Sequence, residues 1–134
     1  MTHPVVPSRR TVWIGRVLSA IPVAMMLFSA SMKFSASPEA LQFAVTHLGW
    51  PETYLPRLAL LEISCVVIYA IPQTAVLGAI LISGYLGGAV ATHFRVGEVP
   101  AVQCLLIALA WGGLYLRDPR LRDLLPRVNP LRHL

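Results

Sequence analysis

Seven polar side chains stand out in a sequence that is otherwise strongly apolar. They supply one acid, two bases, one histidine, one phenol, one hydroxyl and one amide: Glu62, Lys33, Arg95, His93, Tyr85, Thr92 and Gln103. Histidine and carboxyl groups take up and release protons, whereas lysine, tyrosine and amide groups donate hydrogen bonds. A quinone or quinol, with its carbonyl or hydroxyl head group and apolar tail, needs this combination. The sequence therefore predicts a ligand-binding polar core built from these seven residues.

The composition indicates a membrane protein. Apolar residues make up 56% and charged residues 13% of 134 residues, with a mean hydropathy of +0.66, which departs from the pattern of soluble domains. The net charge is +5, but the basic residues flank apolar segments or lie near the C-terminus, without the interleaved aromatic residues that bind single strands. We therefore expect a lipid bilayer as the surroundings and no nucleic-acid partner.

Four apolar segments predict four membrane-spanning helices. Their approximate bounds are 17–32, 55–71, 75–93 and 101–116. These lengths are close to what a helix needs to cross a bilayer. Between the first two segments, Ser37 and Pro38 are typical of a helix start and Gly49 of a helix end, but the helix between them is too short to span. We predict an all-α fold, a polytopic membrane four-helix bundle with a short interfacial helix between spans one and two.

The arginines indicate the orientation of this bundle. Most of them lie near the two termini, whereas only Lys33, Arg57 and Arg95 are basic on the opposite side. The positive-inside rule then places both termini in the cytoplasm and the chain in the cell (inner) membrane. The predicted organisation is a disordered N-terminal tail (1–11), a four-span membrane domain (12–116) and a basic cytoplasmic tail (117–134).

The third predicted span carries small residues at helical spacing. Gly84, Gly87 and Gly88 belong to rows of glycine, alanine and serine along this helix. Small residues in such rows let membrane helices approach closely. We therefore expect these three glycines to pack against a neighbouring helix.

The predicted topology brings the polar side chains together in the outer half of the bundle. Lys33 ends the first span there, and Glu62 lies roughly 9 Å inward from the start of the second at 1.5 Å per residue. Ionisable residues at this depth are costly and are functional candidates. A structural alternative stays open, in which Glu62 pairs with Lys33 or Arg95 to hold the helices in register and His93 caps a helix end.

We predict no metal site. His93 is the one histidine at membrane depth, because the other three lie in predicted tails or loops, so haem ligation by two histidines is disfavoured. Cys65 and Cys104 lie far apart in apolar segments, without the spacing of a zinc site, and are interpreted as small apolar residues.

Three features of the chain resemble the DoxX-like integral membrane proteins. The segment 84–97 reads GYLGGAVATHFRVG, the first span ends in Lys33-Phe34, and the second carries Glu62 near its start. The resemblance covers about 12–116. It implies a four-helix membrane bundle in a superfamily whose members are linked to quinol oxidation, to membrane redox complexes for thiol and oxygen stress, and in animals to receptor assembly.

Three hypotheses for function follow. The first is a redox-associated membrane protein that binds a quinone-like or other lipophilic ligand in the outer half of the bundle, with quinone or quinol as the possible cofactor and membrane redox proteins as possible partners. The second is a non-enzymatic assembly or scaffold protein whose polar core is structural. The third is a small proton-coupled transporter that acts as a homodimer and uses Glu62 as its titrating carboxylate.

Overall fold

The computed structural model describes residues 6–124, and within them all regular structure is helical. The helices are α1 (Arg9–Phe34), α2 (Pro38–Ala40) continued by a π-helical segment (Leu41–His47), α3 (Leu55–Ala70), α4 (Ala75–Arg95), α5 (Ala101–Arg117) and α6 (Pro119–Leu124). Two 3₁₀ turns, Glu52–Tyr54 and Pro72–Thr74, precede α3 and α4. The predicted all-α class is confirmed.

Four of these helices form a bundle. α1 packs against α3 and α5, and α4 packs against the same two helices, so the four surround a common core. Stretches covering Arg9–Phe34, Glu52–Ala70 and Pro72–Arg95 are long and apolar enough to cross a membrane, whereas α5 is a shorter apolar helix of 17 residues. The chain therefore has the helices of a membrane protein.

Apolar side chains lie on both the inside and the outside of the bundle. Tyr69 and Ile82 are fully buried in the core, while Phe28 and Leu60 are 67% and 60% exposed on the outer surface. A soluble protein rarely leaves so many large apolar side chains in water. The outer surface is suited to contact with lipid, which is consistent with the apolar helices.

The helix glycines that contact a neighbouring helix lie at one end of the bundle. A Cβ added to Gly15 of α1 would lie 2.8 Å from the Arg117 nitrogen and the Gly113 carbonyl oxygen of α5. A Cβ added to Gly78 of α4 would overlap the backbone N and Cα of Tyr69 in α3. We call this end, where α1 begins and α5 finishes, the closed end.

Gly84, Gly87 and Gly88, predicted to pack against a neighbouring helix, make no such contact among the described residues. A Cβ added to any of the three would meet no described atom within 4 Å, and Gly84 and Gly88 instead line a cavity. Small residues at helical spacing leave room on one face, but the spacing is the same whether a helix or a cavity takes up that room. The contacts are made by Gly15, Gly78 and Gly113, which were not predicted.

Two helix boundaries differ from those expected. Ser8 caps α1, its hydroxyl accepting from the Thr11 nitrogen at 3.2 Å, so 9–11 of the predicted N-terminal tail are helical. At the other terminus, α6 occupies the first part of the predicted basic tail. Residues 1–5 and 125–134 of these tails lie outside the described residues.

Asp118, at the junction of α5 and α6, explains why α6 is held against the bundle. Its carboxylate accepts hydrogen bonds from the backbone nitrogen and the guanidinium of Arg120. These bonds hold the pKa of Asp118 below its ordinary value. Arg120 also donates to the Pro72 carbonyl at 2.7 Å, which ties α6 to the turn between α3 and α4.

The connection between α1 and α3 contains the short helix that was predicted. The Ser37 hydroxyl accepts from the Ala40 nitrogen at 3.2 Å, and Gly49 has a positive φ of 77° where the segment leaves its helical course. Most of its length, Leu41–His47, is π-helical, a wider form that is common at functional sites. This π-helical segment lies across the open end of the bundle, which we call the cavity end.

Candidate functional site

A cavity of about 520 Å³ opens at the cavity end, beneath the π-helical segment. All four bundle helices and the π-helical segment contribute to its wall. Six of the seven polar residues predicted from the sequence line it: Lys33, Glu62, Tyr85, Thr92, His93 and Gln103. Arg95 does not.

Glu62 and Lys33 form an ion pair inside the cavity. Lys33, in the last turn of α1, places Nζ 2.7 Å from Oε2 of Glu62 in α3. The Glu62 side chain is 3% exposed and that of Lys33 is 17% exposed. Because the pair is largely removed from water, loss of either partner would leave the other charge buried and uncompensated.

Ser29, which is not among the residues predicted from the sequence, completes this pair. It lies one helical turn before Lys33 on the same face of α1. Its hydroxyl accepts from Lys33 Nζ at 2.5 Å and donates to Glu62 Oε2 at 3.4 Å. The spacing of four residues between Ser29 and Lys33 is the feature of the sequence from which this contact could have been predicted.

His93 is held in one orientation near the end of α4. Its Nδ1 lies 2.7 Å from the Ala89 carbonyl oxygen and so donates to it. Nε2 lies 3.2 Å from the side-chain amide nitrogen of Gln103 in α5. The carbonyl partner therefore fixes Nδ1 as a donor and leaves Nε2 facing Gln103.

Glu98 links His93 to His47, one of the three histidines predicted to lie in tails or loops. Its Oε1 lies 2.7 Å from Nε2 of His47, and its Oε2 lies 3.8 Å from Nε2 of His93. The ring of Phe43 stacks on His47 with centroids 5.6 Å apart and lies 5.9 Å from the His93 ring. These contacts fasten the π-helical segment over the cavity.

Of the three remaining predicted residues, Tyr85 lines the cavity, whereas Thr92 and Arg95 bond to backbone carbonyls. The Thr92 hydroxyl donates to the Gly88 carbonyl at 2.9 Å, so its proton is committed although the residue lines the cavity. Arg95 lies outside the cavity and donates to the Leu48 carbonyl. This hydrogen bond joins the end of α4 to the end of the π-helical segment, which is a structural role.

Apolar side chains make up most of the cavity wall. Met25, Leu58, Leu61, Val102 and Leu106 contribute from three helices. Trp50 lines the same cavity from the connection before α3. The site thus combines a few polar groups with a large apolar surface, a pattern common in pockets for small organic ligands.

Potential metal-ligating side chains do not cluster in the described part of the chain. Residues 6–124 contain no group of three or more histidine, cysteine or acidic side chains placed to hold a metal ion. Cys65 is buried, Cys104 is exposed, and both are free thiols.

Comparison with known proteins agrees with the sequence motifs. A search of curated proteins finds no match for this chain, and neither does a search of solved structures. The model of the DoxX-like family matches residues 17–113, well over half of the chain. That range contains the cavity, the ion pair and the segment 84–97 on which the resemblance was based. The chain therefore belongs to the DoxX-like family.

Proposed function

We propose that this membrane protein binds a lipophilic ligand with a quinone-like head group in the cavity end of the bundle, as part of a redox-associated function. The observation that carries the proposal is the convergence of polar groups from all four bundle helices within one largely apolar cavity. The proposed orientation places the cavity in the outer half of the inner cell membrane and both termini in the cytoplasm, by the distribution of arginines.

The polar groups match what such a head group requires. Lys33 and Gln103 carry N–H donors for carbonyl oxygens, and they approach the cavity from α1 and α5. His93 presents Nε2 as a base that can take a proton from a quinol hydroxyl. Glu98, 3.8 Å from that atom, would stabilise the resulting imidazolium.

The size of the cavity also fits. A volume of about 520 Å³ lies within the range of roughly 300–1,000 Å³ that is usual for small-molecule pockets. The apolar wall would hold the ring and the beginning of an apolar tail, while the ion pair and Gln103 orient the head group.

The scaffold hypothesis is the second candidate, and one observation favours it. Within the described residues, every buried side-chain nitrogen and oxygen has a hydrogen-bond partner, and Glu62 is already paired with Lys33. A polar cluster that satisfies itself can serve to fix the helices in register. Ligand-binding measurements separate the two candidates.

Quenching of Trp50 fluorescence provides a direct test. We expect a short-chain benzoquinone to quench the purified protein saturably, because Trp50 lines the cavity. Gln103→Ala removes one hydrogen bond to the head group and should weaken binding by about tenfold, whereas Gln73→Ala, at the closed end, should not. Trp50→Phe should remove the quenched component, and Trp13→Phe should retain it. Quenching that is linear in quinone concentration and survives Trp50→Phe would contradict the proposal.

The glycines of α4 offer a test that does not remove any polar group. Gly84 and Gly88 line the cavity, and a Cβ at either position meets no described atom within 4 Å. Gly84→Leu and Gly88→Leu should therefore fold but fill the space that the ligand needs, and we expect affinity to fall by at least about tenfold. Gly87→Leu is the matched control, because Gly87 is equally open but does not line the cavity. Equal affinities in all three variants would exclude this cavity as the binding site.

A further inference from the structure

A second cavity lies at the closed end, far from the proposed ligand site. Its volume is about 180 Å³, and its polar lining comes from three helices: Arg16 and Ser19 of α1, Tyr69 of α3 and Arg117 of α5. Within residues 6–124, no carboxylate lines it. Two arginines thus share one small pocket without an acid to neutralise them there.

Arg117 is held rigidly in this pocket. Its Nε donates to the Ser19 hydroxyl at 3.0 Å, and its guanidinium carbon lies 5.1 Å from the centre of the Tyr69 ring. The Tyr69 hydroxyl in turn donates to the Ala110 carbonyl at 2.6 Å and lies 2.9 Å from the Ser19 hydroxyl. Tyr69 is fully buried and Ser19 is 6% exposed, so the support for the guanidinium cannot easily shift.

The rest of this guanidinium is available. Among residues 6–124, no side chain or carbonyl accepts a hydrogen bond from the two terminal nitrogens of Arg117. The neighbouring acid, Asp118, is engaged by Arg120 through both carboxylate oxygens. A planar guanidinium with free terminal N–H groups is suited to bidentate contact with a phosphate.

We propose that this cavity binds a phosphate group, supplied by an anionic phospholipid at the membrane surface of the closed end. Arg117 makes the oriented contact, and the exposed Arg16 adds a second positive charge. Ala20, Val23 and Ala70 form the apolar part of the wall, where the lipid chains would begin. Basic pockets between membrane helices on the cytoplasmic side bind anionic head groups, and the arginine distribution predicts that orientation for this end. The proposal does not depend on the ligand of the larger cavity.

Lipid titration of the full chain in neutral detergent tests this assignment. We expect phosphatidylglycerol to raise the melting temperature saturably, and phosphatidylcholine at the same concentration to have no comparable effect. Arg16→Gln should raise the phosphatidylglycerol concentration needed for half of this stabilisation by about tenfold, because one charge-assisted contact is lost. Arg10→Gln is the matched control, since it removes one exposed arginine from the same helix outside the cavity.

The outcomes separate the sources of the phosphate. If inorganic phosphate stabilises the protein and competes with phosphatidylglycerol, the phosphate site stands and a soluble phosphate compound becomes its occupant. Equal losses of phosphatidylglycerol stabilisation in Arg16→Gln and Arg10→Gln would overturn the proposal, because they would show that the lipid is attracted to a diffuse basic surface and not to this cavity. Equal stabilisation by phosphatidylcholine would overturn it as well.

Discussion

Glu62→Gln should lower the affinity for the quinone-like ligand by more than about tenfold and destabilise the protein by about 3 kcal/mol. The substitution leaves Lys33 without its partner, 2.7 Å away, in a position where only 17% of the lysine side chain is exposed. The expected loss is at the lower end for a buried ion pair, since the lysine stem can carry its charge towards the membrane surface. Thermal or detergent denaturation, together with quinone titration, measures the two effects.

A double variant separates the structural effect from the ligand effect. Lys33→Gln combined with Glu62→Gln removes both charges, so no uncompensated lysine remains and most of the lost stability should return. Ligand affinity should not return, because the charged groups that orient the head group are still missing. Wild-type affinity in the stable double variant would favour the scaffold hypothesis instead, in which the pair only holds α1 and α3 in register.

Gly78→Ala should be among the most destabilising single substitutions in the bundle. An alanine Cβ would overlap the backbone of Tyr69 and lie 2.7 Å from its Cβ. Backbone atoms of a packed helix cannot rotate away as a flexible side chain can, so α3 and α4 must separate. We expect a loss of about 3 kcal/mol or more, at the upper end for an overpacked site, measured as a fall in the melting temperature or in the yield of folded protein.

Gly87→Ala is the control for Gly78→Ala. Both glycines lie within α4, but a Cβ at Gly87 meets no described atom within 4 Å. Replacing glycine by alanine within a helix should then stabilise the protein by roughly 0.5–1 kcal/mol. A fall in stability at Gly87 equal to that at Gly78 would show that the predicted helix contact at Gly87 exists after all, for example between two copies of the chain.

The sequence alone determined the approximate course of the long apolar helices and the level of the polar groups along them. Runs of apolar residues, the Ser37 cap and the glycine at 49 were sufficient to place the elements, and the all-α class followed. Because a helix rises 1.5 Å per residue and the connections are short, residue number translates into depth. That relation brought Lys33, Glu62, His93 and Gln103 to the same end before any contact was known, and the structure places all four around one cavity.

Only the tertiary structure decided which atoms meet. Lys33 rather than Arg95 is the partner of Glu62, Ser29 and Glu98 join the site, and the glycines of the segment 84–97 line a cavity while Gly78 makes the helix contact. The rotation of each helix about its axis, and the separation of the helices at one end, result from the packing of all side chains together. The spacing of small residues along one helix does not show what lies against that face. For this reason Gly84 and Gly88 predicted a helix contact, whereas in the structure they line a cavity.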